Sequence, residues 1–203
     1  NIVDLTNYLM FLTGQPLHAF DYDKISGHKI LINDDENEIA VIAIDGSTGD
    51  ELWKFQAPGN EISSPAVLED GSSRQVFVSV YDSTQLEVYA VQGGLGLTEW
   101  NPKTIGIILN PDDAGQHPLL PSIVISDITV DEGKEILVPQ PPATDDGDAQ
   151  LWLFKEDGNY ATGWASAYTL DGGGEMDATP AVGDIDGDGN LEIVAVTWED
   201  PSD

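Results

Sequence analysis

The sequence contains no cysteine. This rules out a disulfide framework, a thiolate metal site and a cysteine nucleophile, and leaves the redox compartment open. Basic residues are scarce too: seven Lys and Arg stand against 37 Asp and Glu, a net charge of −30 over 203 residues. So acidic a surface repels phosphate backbones and anionic lipid heads, which argues against nucleic acid or a membrane surface as its partner. No apolar run approaches the ~18 residues of a membrane span. The chain opens on Asn1 rather than Met and reads as an excerpt, so the lack of a signal peptide excludes nothing. Against these shortages, 40% of the residues are hydrophobic, too many for a disordered acidic tail. The 21 Gly and 12 Pro indicate a turn-rich fold, and the length allows one domain, alone or with an appendage.

Internal repetition sets the fold class. PAVLED at Asp70, SIVISD at Asp127 and TPAVGD at Asp184 recur at a spacing of 57 residues. Each copy opens with a short apolar strand and continues past a turn into a second: VFVSV (76–80), EILVP (135–139) and EIVAV (192–196). A second element recurs beside it. VIAIDGSTGDELW (41–53) aligns without a gap on VYAVQGGLGLTEW (88–100), and WLFKEDGNYATGW (152–164) falls into the same frame. Two hairpins per unit make four strands, and such units bury both faces only by stacking. The expectation is an all-β fold: an incomplete β-propeller of about three four-stranded blades over residues 38–203, with a separate N-terminal segment at 1–32. Trp53, Trp100 and Trp164 recur at equivalent positions, which favours packing between blades over ligand stacking.

The segment LWLFKEDGNYATGW with DATPAVGDIDGDGNLEIVAV (151–196) resembles the FG-GAP/VCBS repeats of integrin-like propellers. AIDGSTGDELWKF (43–55) and EISSPAVLEDG (61–71) resemble quinoprotein-type (PQQ-like) propeller repeats. About three blades enclose no central cofactor pocket, and the three histidines (His18, His28 and His117) join no catalytic triad, so no enzyme activity is expected of this region.

Candidate chemistry is concentrated between Asp184 and Glu192. Alternating aspartates on a tight loop direct Asp184, Asp186 and Asp188 at one centre, and Gly189 permits a positive-φ turn. With a carbonyl near Asn190 and the carboxylate of Glu192, the oxygen supply suits Ca2+. An EF-hand is excluded, because its twelfth position is Ala195 and the flanks are strands. In the Asp127 copy, Thr129 and Glu132 replace ligand positions and leave Asp127, Asp131 and Glu135; Thr129→Ala is expected to change little there. The Asp70 copy is shorter and carries Arg74, so its metal-binding capacity is lost.

The N-terminal NIVDLTNYLMFLTGQPLHAFDYDKI (1–25) has helical spacing over 3–14, with Gly14 placed to stop the helix and Pro16 beyond it. It is closely similar to the segment that opens the editing domain of the phenylalanyl-tRNA synthetase beta subunit. That domain hydrolyses mischarged tRNA, and the resemblance puts the editing-pocket histidine at His18.

The leading expectation is a calcium-binding propeller segment of a secreted or surface protein that binds a protein or glycan, with no nucleic-acid partner for the propeller region. Two alternatives stand beside it: an accessory region of a secreted hydrolase, and a fragment of a phenylalanine–tRNA ligase beta subunit located in the cytoplasm.

Overall fold

The computed structural model describes residues 39–197, apart from 71–72, 83, 101, 108–119, 131–132, 143–146, 172–173, 175 and 177. The expected helix at 3–14 and His18 lie outside the described residues. Among these, every regular element is a strand and every strand pair is antiparallel. The all-β expectation therefore holds.

Four sheets follow one another along the chain. The first is the hairpin of β1 (Ile39–Ile44) and β2 (Glu51–Ala57). The second contains β3 (Glu61–Ile62), β4 (Ala66–Asp70), β5 (Ser73–Tyr81), β6 (Gln85–Gln92) and β7 (Lys103–Ile107). Both β3 and β4 pair with β5, at opposite ends, so they act as one interrupted edge strand. The third sheet runs β8 (Val124–Ser126), β9 (Glu135–Gln140), β10 (Gln150–Lys155), β11 (Tyr168–Thr169), and the fourth is the hairpin of β12 (Ala181–Gly183) and β13 (Glu192–Val194).

The 57-residue repeat is visible in the pairing register. Val124 pairs with Leu137 and Ser126 with Glu135; 57 residues on, Ala181 pairs with Val194 and Gly183 with Glu192. Alternation along the strands then sends apolar side chains to both faces. On β5 and β6, Val76, Val78, Val80, Tyr89 and Val91 pack with Val41 and Trp53 of the first sheet. From the opposite face Phe77, Leu86 and Val88 pack with Ile136, Val138 and Phe154 of the third. Leu137, Leu151 and Leu153 close a third cluster with Val182 and Ile193 of the fourth. Each middle sheet is thus sandwiched between its neighbours in sequence.

Two tryptophans tie successive sheets together. Trp53 Nε1–H donates to Gly93 O at 2.7 Å, and Trp100 Nε1–H donates to Glu156 O at 3.0 Å. Both acceptors lie in the turn of the next sheet. A left-handed glycine makes room for each indole: Gly96 (φ 66°) under Trp53 and Gly158 (φ 81°) under Trp100. A Cβ at either position would come within 2.9 or 3.1 Å of the ring.

Candidate functional site

The Asp184–Glu192 loop joins β12 to β13. Asp184, Asp186 and Asp188 are exposed, and one carboxylate oxygen from each lies within 4.8 Å of the others. Backbone donors hold them in place. Asp184 accepts from Gly187 N–H at 2.7 Å through Oδ1 and from Gly189 N–H at 3.0 Å through Oδ2. Asp186 accepts from Asp188 N–H at 3.0 Å, and Asp188 accepts from Asn190 N–H at 2.8 Å. The last of these, helped by Asn190 Nδ2, holds the Asp188 carboxyl below its ordinary value. Gly187 (φ 80°) and Gly189 (φ 93°) have open space where a Cβ would stand, so backbone conformation rather than crowding calls for glycine.

The other two expected ligands are the backbone carbonyl near Asn190 and the Glu192 carboxylate. Asn190 turns its side-chain amide onto Asp188 Oδ1 at 2.9 Å. Glu192 is half-buried, and its Oε2 accepts the Ile185 N–H at 2.9 Å. Three of the five expected residues therefore converge as carboxylates, while Glu192 fastens the base of the loop.

The Asp127 copy shows that fastening in complete form. Glu135 is buried, and its Oε2 accepts Ile128 N–H at 2.6 Å and Thr129 N–H at 3.2 Å. Its Oε1 accepts the Thr129 hydroxyl at 2.7 Å. Thr129 is thus a working partner of Glu135. Asp131 lies outside the described residues. At the Asp70 copy, Arg74 forms an exposed ion pair with Glu69 at 3.1 Å across the hairpin.

Comparison with known proteins points elsewhere for function. The family model described as "B3/4 domain" matches residues 1–85. The phenylalanine–tRNA ligase beta subunit of Moorella thermoacetica is 31% identical over 109 residues, 54% of this chain and 11% of that protein. The beta subunit of Listeria innocua is 48% identical over 46 residues, 23% of this chain and 6% of the relative. That of Desulfotalea psychrophila is 50% identical over 48 residues, again 23% and 6%. The chain thus spans about a tenth or less of the length of these relatives. No solved structure matches it.

These matches support the resemblance of the N-terminal segment, and none supports the FG-GAP/VCBS or quinoprotein-type resemblance. Several expectations are corrected with them. The reading as a secreted or surface calcium-binding propeller that takes a protein or glycan is set aside, because the relatives are subunits of a tRNA ligase. Extracellular location and Ca2+ as cofactor fall with it. So do the expectation of no enzyme and that of no nucleic-acid partner, since the relatives belong to an enzyme named for its tRNA. The physical reason is one of averaging. Residues 1–30 contain three acidic and two basic residues, so 34 of the 37 acidic residues lie in 31–203; the net charge of the whole conceals a nearly neutral N-terminal stretch. The matched region covers β1 to β5 and reaches the first residue of β6, and β5 pairs with β6 over seven residues. Its end therefore falls inside the second sheet.

Among the described residues no helix is long and apolar enough to cross a membrane.

Proposed function

We propose that the chain belongs to a phenylalanine–tRNA ligase beta-subunit type of protein and works inside the cell on tRNA through its N-terminal segment. The observation that carries this is the match of residues 1–85 to the B3/4 model, with its stretches of nearly half identity to beta subunits. Residues 1–32 form the ligase-like unit and 38–203 the repeat region. Within the N-terminal segment, Lys24, Lys29 and His18 are the candidates for contact with tRNA phosphates.

The test is equilibrium binding of a phenylalanine tRNA transcript across a salt series. Two lysine–phosphate contacts give a slope of about −2 in log K against log salt. Lys24→Glu with Lys29→Glu should remove both the slope and most of the affinity. Wild-type binding no tighter than that of the double variant would overturn the proposal.

We propose for residues 38–203 an incomplete β-propeller of about three blades. The stacking of four successive antiparallel sheets, each middle one packed on both faces, supports this reading.

Asp184, Asp186 and Asp188, with Asn190 and Glu192 at the base, are proposed as a site for a hard divalent cation; the convergence of three carboxylate oxygens supports it. Manganese should raise the melting temperature of the wild type but not that of Asp186→Ala. An unmoved wild-type melt would dismiss the site.

A further inference from the structure

The sheets stack in chain order, and each middle sheet buries the face that it turns toward its predecessor. On β6, Tyr89 is 5% exposed and Val91 fully buried, because Val41 and Trp53 of the first sheet lie in the same cluster. The alignment of 41–53 on 88–100 gives Ile42 and Ile44 of β1 as their counterparts. These are 49% and 61% exposed, and Leu52, next to Trp53 on β2, is 62% exposed. The first hairpin therefore buries one face on the second sheet and leaves an apolar face open on its other side. What leads into that hairpin is residues 1–38.

The family match crosses the same junction. It runs from residue 1 to residue 85, so it takes the N-terminal segment and β1 to β5 as one unit. A domain has one core of its own, to which all its parts contribute. Within 39–85, β5 is already covered on both faces: Val76, Val78 and Val80 pack with the first sheet, and Phe77 packs in the cluster shared with the third. The outer face of the first sheet is left to receive the rest of the unit.

Composition identifies which part of the segment fits there. Of the eleven residues 2–12, eight are apolar and one, Asp4, is charged. Such a stretch gains by leaving water, in a chain whose other acidic residues keep it soluble. Its single charge is opposite in sign to Lys54, which pairs with Ile42 across the hairpin. The 26 residues 13–38 that join it to β1 reach Ile44 easily, since that residue lies about 17 Å along the strand from Ile39. A tether of this kind supplies an effective concentration on the order of millimolar. A second copy has no such advantage and meets the repulsion of two chains at −30 each.

We propose that residues 2–12 dock within the same chain on the outer face of the first sheet, over Ile42, Ile44 and Leu52. The first sheet then has an element on each side, as the two middle sheets do. Docking fastens the ligase-like segment to the repeat region, and places Lys24 and Lys29 in the connector between the docked stretch and β1. The inference is independent of whether that segment meets tRNA and of the number of blades.

The test is thiol alkylation of the 203-residue chain, which has no cysteine of its own to interfere. Ile44→Cys probes the face and Ser47→Cys the exposed turn beside it, each rate taken relative to the urea-unfolded chain. Ile42→Cys is a second probe of the face, and hydrogen exchange in β5, β6, β9 and β10 verifies the fold of every variant. The proposal expects Ile44→Cys and Ile42→Cys to react at least tenfold more slowly than Ser47→Cys, at all protein concentrations and with a monomer in sedimentation. Adding Leu9→Glu with Phe11→Glu should abolish that difference while the four central strands stay protected. Face probes as reactive as Ser47→Cys in the whole chain would overturn the proposal, because the face would be bare. Slow reaction that the two glutamates leave unchanged would overturn it too, since another part of the molecule would be the cover. Slow reaction that appears only as a dimer forms would assign the face to a second copy and overturn it likewise.

Discussion

The Glu135 carboxylate accepts the Ile128 N–H at 2.6 Å from a position only 1% exposed to solvent. Fifty-seven residues on, Glu192 accepts the Ile185 N–H at 2.9 Å in the same way. The glutamate at the foot of each hairpin is therefore a clamp on the loop that begins it, whether or not that loop has kept its aspartates. Its cost when buried is offset by the number of donors it satisfies.

Removal of the clamp should be expensive where it is buried and cheap where it is not. Glu135→Ala removes the acceptor of two backbone N–H groups and of the Thr129 hydroxyl, and is expected to cost about 3 kcal/mol. Glu192→Ala, in a half-buried setting, should cost about 1 kcal/mol, as should Thr129→Ala. Urea unfolding of the three variants checks the order; Thr129→Ala indistinguishable from wild type would remove the hydroxyl from this account.

The tryptophan ties make a prediction about glycines. Gly96 and Gly163 both have positive φ (66° and 88°), so alanine strains the backbone at either by about 1 kcal/mol. Only at Gly96 does the new Cβ also meet an indole, that of Trp53 at 2.9 Å. Gly96→Ala should therefore lower the melting temperature clearly more than Gly163→Ala, and equal shifts would show that Trp53 gives way freely.

Much of this architecture is legible in the sequence, for a physical reason. The 57-residue spacing fixes where each hairpin begins, and alternation then dictates which residues point inward, so register and core follow. The tryptophans at 53 and 100 are legible as packing residues, yet their N–H acceptors are backbone carbonyls at positions of no distinctive composition. Glu135 is misleading for a related reason. A carboxylate nine positions along an aspartate loop suggests a ligand, because its competing partners, the Ile128 and Thr129 N–H groups, leave no mark in the sequence. The charge argument against a nucleic-acid partner fails by averaging: a net charge taken over the whole chain hides thirty residues of almost none.

Acid should loosen the hairpin turns. Asp82 accepts the Thr84 hydroxyl at 2.7 Å and the Thr84 and Gln85 N–H groups at 2.9 Å, and these contacts, the hydroxyl foremost, lower its pKa from 3.8. Asp157 is lowered chiefly by the Asn159 N–H. A depressed carboxyl stabilises the fold above its unfolded value and loses that contribution as pH falls through the folded value. The stability difference between wild type and Asp82→Ala should accordingly be constant from neutral pH to somewhat above 3.8 and shrink below it. Comparison with the variant cancels the general relief of repulsion that protonation brings. A difference unchanged down to strong acid would contradict the assignment.

Within β5, Ser79 is 1% exposed and its hydroxyl oxygen has no partner among the described residues, although its N–H donates to Ser63 Oγ at 3.0 Å. Ser79→Ala removes an unsatisfied polar group at almost no change in volume and should leave stability unchanged or raise it by about 1 kcal/mol. A marked loss in chemical denaturation would reveal a bond made by that hydroxyl.

The central proposal is that the ligase-like N-terminal segment meets tRNA. Its most direct test compares tRNA binding by the whole chain with binding by a chain lacking residues 1–30, both in low salt, with circular dichroism confirming that the sheets persist. The account predicts measurable affinity for the whole chain and none for the shortened one, whose charge is almost entirely negative. Equal affinity of the two, or none for either, would contradict it.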